Sequence, residues 1–372
     1  MLEIGLLRQR IDYMREIEKK ADRMIFDRGS YVKFLPLILN PGHLDWLLAN
    51  RCDPTSRRRL MIVSYGRDPI AYEGWLRFAI IAIYSVLHCR GIDKWAVDLI
   101  MGPPPNQYMD LPVSDLFGET EQHMLDYLKS FGVTVIHSNE ISSPGDSYRL
   151  YDSRVSLLLR LDADGAMLPD AIKAPCFTFR APIGYSGLNA RHTGRNAYDQ
   201  LFHPTDGRMN NWPTSMRASW WDWVEKVTQI GAIVLGVHVK HDIVSSRMKA
   251  ISWLSEGLSY LHGDLIEAFV SLRVELIRNG IIPEWDEEIV KVIMVGLLGI
   301  EPEKSLIPIL EHWEYGPQIP STAMINFRNQ RSMRHIVRSI LDGDSQLCTK
   351  LNYICKLTDD IPERVLMKGS MQ

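Results

Sequence analysis

The segment LLLRLDADGAML (residues 157–168) carries a pattern with chemistry in it: an apolar run ends in Asp162 and Asp164, with one alanine between them. Alternate residues of a regular strand point to opposite faces, but a turn at Gly165 would let the two carboxylates converge on one ligand. Paired hard oxygen donors, with no cysteine nearby and no His-x-x-x-His pair, suit Mg²⁺ or Mn²⁺ held jointly with phosphate oxygens. A divalent ion there would neutralise a diphosphate leaving group. The same tripeptide also makes ordinary turns in which aspartates bond backbone amides, so the surrounding elements have to decide between the two.

Those elements alternate. RRRLMIVSYGRD (57–68) reads as a basic lead-in, an apolar strand and a turn, and 72–91 as a long, mostly buried helix stopped by Gly91. Strand signals follow at 95–102 and 133–138, with a helix at 119–132 between them and a short helix at 148–156 before the aspartate strand. Such βαβα order implies a mostly parallel sheet flanked by helices, and ligands of such sheets bind outside the carboxyl ends of the strands. Asp162 and Asp164 are expected at that edge.

From about 171 to 220 the regular pattern lapses. This stretch mixes Arg180, Arg191, Arg195, Arg208 and Arg217 with Phe177, Phe179, Tyr185, Tyr198, Phe202 and Trp212. Aromatic faces stack on sugars or bases, and guanidiniums pair with phosphates. The stretch could be an acceptor loop, with Arg180, Tyr185, Arg191 and Trp212 as its contacts, a donor lid, or a patch for nucleic acid; a packed insertion with a solvated rim would read the same way. Helical signals return at 219–231, an apolar run follows at 232–239, and helices are expected to about 280 and through most of the tail.

In order and spacing, 57–285 resembles the GT-A fold glycosyltransferases, the Rossmann-like class that uses nucleotide-sugar donors. LLLRLDADGAML is similar to their strand and Asp-x-Asp signature, RRRLMIVSYGRDP to their first strand, and YRLYDSRVSLLLRLD to the helix before the signature. The resemblance implies that Asp162 and Asp164 hold metal and donor, that Ser64, Tyr65 and Arg67 line the nucleotide end, and that Arg154 reaches the diphosphate. Residues 229–244 and 251–282 resemble the acceptor half of inverting family-2-like enzymes, in which a small-residue strand is followed by an acidic pair opening a helix. Here FVSLRVELIRNG matches the helix, but Gly263-Asp264 stands where Glu-Asp is expected, with Glu267 three residues later. Either Asp264 or Glu267 could take the acceptor proton, and Asp264 followed by Glu267 also fits plain helix capping. His312 is the resemblance's candidate for a third metal ligand.

Composition narrows the field. Hydrophobic residues at 46% and charged residues at 23% are ordinary for a folded globular chain and exclude extensive disorder. A formal net charge of -3 gives no global footprint for sequence-independent nucleic-acid binding. The five cysteines form no CxxC pair, which suits a reducing compartment. The N-terminus lacks a signal-peptide core, and the apolar run FAIIAIYSVL (78–87) is about half the ~20 residues a spanning helix needs. These features lead to an expectation of no membrane span and a cytoplasmic protein.

The expected architecture is therefore an α/β Rossmann-like GT-A domain over 51–285, with a donor-binding half at 51–170 and an acceptor half at 171–285. A helical arm (1–50) precedes it and a helical extension (286–372) follows, and these termini could support oligomers. The expected activity is a Mg²⁺- or Mn²⁺-dependent transfer from a nucleotide-sugar donor to an acceptor that is a small molecule, a protein or a modified nucleic acid. Two alternatives remain open at this point: a nucleotidyltransferase, and a non-enzymatic structural or assembly protein, for example viral, with an α/β core.

Overall fold

Leu60 to Val63 follow one another without a polar break, the mark of a strand covered on both faces. In the computed structural model of the protein they lie in β1 (Arg58–Ser64), buried from Leu60 onward. The structure describes residues 51–65, 91–103, 131–163, 165–167, 177–186, 196–205, 207–252, 254–304, 309–311 and 324–326, and single helical positions within 79–89 and 125–129. The expected arm at 1–50 and most of the C-terminal extension lie outside them.

Beside β1 run β2 (Ala96–Met101), β3 (Thr134–His137) and β4 (Leu157–Leu161). Further along the chain come β5 (Gly165–Met167), β6 (Ile183–Ser186), α1 (Ala197–Phe202), α2 (Trp220–Leu235), α3 (His241–Ala250), β7 (Ser255–His262), α4 (Ile266–Arg278), α5 (Glu288–Leu298) and β8 (Glu303–Lys304). The main sheet has the order β3-β2-β1-β4-β7-β6-β8. The pairs β3–β2, β2–β1, β1–β4 and β6–β8 are parallel, whereas β7 is antiparallel to both β4 and β6. The chain thus forms the mostly parallel α/β sheet that the alternating pattern implied. A second, three-stranded sheet joins β5 to β10 (Met324–Asn326) and β9 (Ile309–Glu311).

Three local readings change. The apolar run at 232–235 is the last turn of α2: Ser219 caps that helix, burial falls on Trp220, Trp223, Val224, Val227 and Ile230, and Gly236 ends it in a left-handed conformation. The strand expected from the acceptor-half resemblance is instead β7, in a segment expected to be helical. The short helix expected at 148–156 is a run of 3-10 turns over Pro144–Leu150, started by a capping box between Ser143 and Asp146. The tail also turns from α5 into short strands.

Helices α2 to α5 pack against one another and cover the sheet face that presents Met61, Leu158, Leu261 and Ile183. One buried ion pair ties this layer to the 3-10 turns. Arg273 of α4 donates to Asp146 Oδ1 (2.6 Å), to Ser143 Oγ (2.6 Å) and to the carbonyl of Glu284 (2.8 Å). Gly145 is required at this crossing, because a Cβ there would stand 2.5 Å from Arg273 Nε and 2.7 Å from Glu287 Cβ. Burial alone would raise the pKa of Asp146, but bonds from Ser142 and the Arg273 charge overcome it and hold the carboxyl below its ordinary value.

Arg273→Met leaves Asp146 buried without its cation and should cost about 3–5 kcal/mol in urea denaturation. Because the folded pKa of Asp146 is depressed, its contribution is present above the unfolded carboxylate pKa and lost as pH falls through the folded value. The variant should therefore show a flatter acid limb than the wild type when stability is measured against pH.

Candidate functional site

Strands β1 and β4 are parallel neighbours with Ile62 opposite Leu161, so their carboxyl ends emerge side by side. Beyond that point the chain continues into Tyr65 on one side and Asp162 on the other, and a cavity of about 300 Å³ opens over them. Its polar lining comes from Tyr65, Arg160, Asp162, Arg208, Glu287 and Glu288, with Trp285 at its edge. This volume is at the small end of ligand sites.

The floor is set by the pleat of β4. Leu158 and Arg160 share a face, so the one charged residue in the strand points up under the helical layer. Its cross-strand partners in register are Met61 in β1 and Ser259 in β7. Arg160 donates to Asp162 Oδ1 at 3.1 Å and to Glu287 Oε1 at 3.0 Å. Helix α5 opens directly after Glu287, and one turn later Lys291 reaches down to Ser259 Oγ (2.7 Å) and Tyr148 OH (2.9 Å). Residues four apart lie on one helix side, so Glu287 and Lys291 together seat α5 on β4 and β7.

The opposite wall is delivered by the irregular stretch. Arg208, at the start of the 3-10 turn Arg208–Asn211, pairs with Asp286 Oδ1 at 2.9 Å and with the Glu288 carboxylate. Asp286 is also fixed from behind by Trp212, whose indole N–H donates to Oδ2 at 2.9 Å. Trp212 packs near Trp223, which in turn meets Phe202 and Trp220. That aromatic cluster packs the end of the stretch, from Phe202 to Trp212, against α2 and anchors Arg208.

Charges held this close shift one another. Burial drives the Asp162 carboxyl up to about 6, with Glu288 and Glu287 adding repulsion that Arg160 only partly offsets. Burial likewise raises Asp286 above its ordinary value against the pull of Arg208. Lys291 falls well below the usual lysine range because it is fully buried, with the Arg160 charge pushing the same way.

The expected site residues separate into distinct places. Asp162 and Tyr65 meet at the cavity. Ser64 precedes Tyr65, but its side chain is fully buried and does not line the space. Arg154 lies before the amino end of β4, at the opposite edge of the sheet, exposed and paired with Asp152 at 2.7 Å. Asp264 and Glu267 also sit at that far edge. Antiparallel pairing places His262 opposite Leu157, and the Gly263 N–H donates to the Ser156 carbonyl. At about 3.3 Å per strand residue, roughly 20 Å separates them from Asp162. Arg180 is exposed just ahead of β6 on the same far edge, since Pro182 bonds His262. Tyr185 and Trp212 are core aromatics, 6% and 1% exposed, and offer no face to an acceptor. Arg67, Asp164, Arg191 and His312 lie outside the described residues.

Arg160, Asp286, Glu287 and Glu288 complete the site without having been singled out in the sequence, and Arg208 stood there only as one of the arginines of the irregular stretch. One signal was present: Arg160 is a lone charge inside LLLRL, and a cation buried on a strand needs carboxylates from elsewhere. PEWDEEIVK also shows acids clustered at a helix start, but ordinary capping produces the same pattern.

Asp162, Glu287 and Glu288 are hard oxygen donors of the type Mg²⁺ and Mn²⁺ prefer. Among the described residues, however, no three His, Cys, Asp or Glu side chains group as a metal cage. The carboxylates present fit an ion shared with a ligand's own oxygens rather than one enclosed by protein. In comparison with known proteins, the chain matches no family model and no curated sequence. Among the described residues, no helix is long and apolar enough to cross a membrane.

A carboxyl whose folded pKa lies above its unfolded value contributes stability below the unfolded value and loses it as pH rises through the folded one. Stability should therefore fall between about pH 4 and pH 6 through Asp162. Asp162→Asn should remove that slope and raise the melting temperature at pH 7.5, by up to roughly 3 kcal/mol of stability, measured by thermal melts across that pH range.

Proposed function

We propose that the chain is a glycosyltransferase that moves a sugar from a nucleotide-diphosphate donor to an acceptor hydroxyl at the cavity over β1 and β4. The observation that carries this reading is the cavity's lining: carboxylates and guanidiniums interleaved at the carboxyl ends of two adjacent parallel strands, where α/β sheets bind ligands. The GT-A resemblance calls for a carboxylate after the donor strand, an aromatic or polar group at the end of the first strand, and an acidic pair opening a helix. Asp162, Tyr65 and Glu287-Glu288 at the start of α5 meet those needs in one place, with the acidic pair supplied by α5 where Asp264 and Glu267 were expected.

In this reading Tyr65 offers a ring face to the nucleotide, and Arg160 and Arg208 are the cations that face the diphosphate. Asp162 would hold Mg²⁺ or Mn²⁺ together with diphosphate oxygens, and the ion would supply charge neutralisation for the leaving group. Glu288, partly exposed in the cavity wall and paired there with Arg208, takes the acceptor proton as the hydroxyl oxygen bonds the anomeric carbon and the bond from that carbon to the diphosphate oxygen breaks. Glu287 is engaged with Arg160 and serves to position it. Because charge builds on the diphosphate as that bond breaks, cations fixed in advance around it stabilise the transition state more than the bound donor. A single direct displacement of this kind inverts the anomeric centre. A cytoplasmic setting fits Cys52, a buried thiol that donates to the Phe131 carbonyl at 3.1 Å.

Thermal shift with UDP-, GDP-, ADP- and CDP-sugars in the presence of Mn²⁺ tests the reading. One donor class should stabilise the protein, by about 2.7 kcal/mol at a hundredfold excess over Kd, and Asp162→Ala should abolish the shift. Pyrophosphate release from a nucleoside triphosphate would turn the reading to a nucleotidyltransferase. If no nucleotide stabilises the chain with Mn²⁺ or, in a parallel series, with Mg²⁺, the cavity is no donor site and the reading passes to a structural or assembly role.

A further inference from the structure

Trp285 stands at the edge of the cavity with 40% of its surface exposed, whereas Trp212, Trp220 and Trp223 are buried. An indole at a cavity mouth presents a large apolar face beside charged groups, and it loses little conformational freedom on stacking because it has only two side-chain torsions. Here its backbone is also fixed on both sides. The carbonyl of Glu284 accepts from Arg273 at 2.8 Å. Asp286, fully buried, is held by Trp212 at 2.9 Å and by Arg208 at 2.9 Å. The ring is thus presented by a rigid turn, and the carboxylates of Glu287 and Glu288 follow it directly in the chain.

We infer that Trp285 is the acceptor platform and that the acceptor is a saccharide, an inference that rests on the transferase reading of this cavity. The proximity of ring and carboxylate selects the chemistry. A pyranose has an apolar CH face that lies on an indole and hydroxyls around the edge of the same ring, so one group satisfies both Trp285 and Glu288. A serine or threonine acceptor brings a hydroxyl without a ring face. A nucleobase brings a ring face without an alcohol.

Saturation-transfer NMR on the full chain tests this with methyl pyranosides of gluco, galacto, manno and xylo configuration, beside a Ser/Thr peptide and adenine. At least one pyranoside should receive saturation on its ring CH protons. Its Kd should rise tenfold or more in Trp285→Ala and stay within about threefold in Trp285→Phe. Because the side chain is exposed, the melting temperature of Trp285→Ala without ligand should match the wild type, which separates loss of a platform from loss of fold. The inference is overturned if no pyranoside contacts the wild type, if Trp285→Ala leaves the pyranoside signal intact, or if the peptide or adenine gives the Trp285-dependent signal instead. A donor-induced thermal shift with silent pyranosides sinks this inference alone. Pyranoside binding that depends on Trp285, without any donor shift, sinks the transferase reading and leaves a saccharide site.

Discussion

A guanidinium inside a sheet has to be answered by carboxylates, and Arg160 in β4 is answered by two that come from different parts of the chain. Asp162 follows it on the same strand, and Glu287 arrives from the start of α5, more than a hundred residues later. Removing the buried Glu287 would leave the guanidinium without its buried partner, at a cost of about 3–5 kcal/mol. The position of α5 therefore depends on the pleat of β4, and the wall of the cavity depends on α5. Lys291 reinforces the same seat one turn further on, and Arg273 with Asp146 fixes the turn from which Glu284 and Glu287 set out.

The direction of β7 decides what else can reach that cavity. By running antiparallel to β4 it carries its own end, with Asp264 and Glu267 following, to the edge where β4 begins. It also leaves α4 free to cross the sheet and return the chain through Pro283 and Trp285 to the edge where β4 ends. The acidic run at 286–288 reaches Arg160 and Arg208 because of that return. Two candidate acidic clusters, each at the start of a helix and close in sequence, thus end at opposite edges of one sheet.

Whatever depended on local pattern was legible beforehand. The apolar run of β1 and those of β2 and β4, interrupted only by Asp98 and Arg160, announced a mostly parallel sheet and put Asp162 and Tyr65 at its carboxyl edge. What depended on pairing was not. SEGLSYLH mixes small, polar and apolar residues without a clear period, so neither its strand nature nor its direction could be read. Trp212 and Tyr185 looked like acceptor contacts because aromatic side chains serve cores and ligand faces alike, and only burial separates the uses. Glu287 and Glu288 show in the sequence only as acids at a helix start, because the cations they answer, Arg160 of β4 and Arg208, lie far away along the chain. Trp285 differs from Trp212 in nothing the sequence displays; the difference is which side of the turn faces solvent.

The central claim is that the working acid belongs to α5 and not to the segment after β7. It is tested most directly by turnover of the donor that stabilises the protein, compared between Glu288→Gln and Asp264→Asn. Removal of the proton acceptor should lower kcat by about 10²–10⁴ in Glu288→Gln, while Asp264→Asn, altered at the far edge, should stay within about threefold of the wild type. A loss of that size in Asp264→Asn, with Glu288→Gln active, would contradict the account.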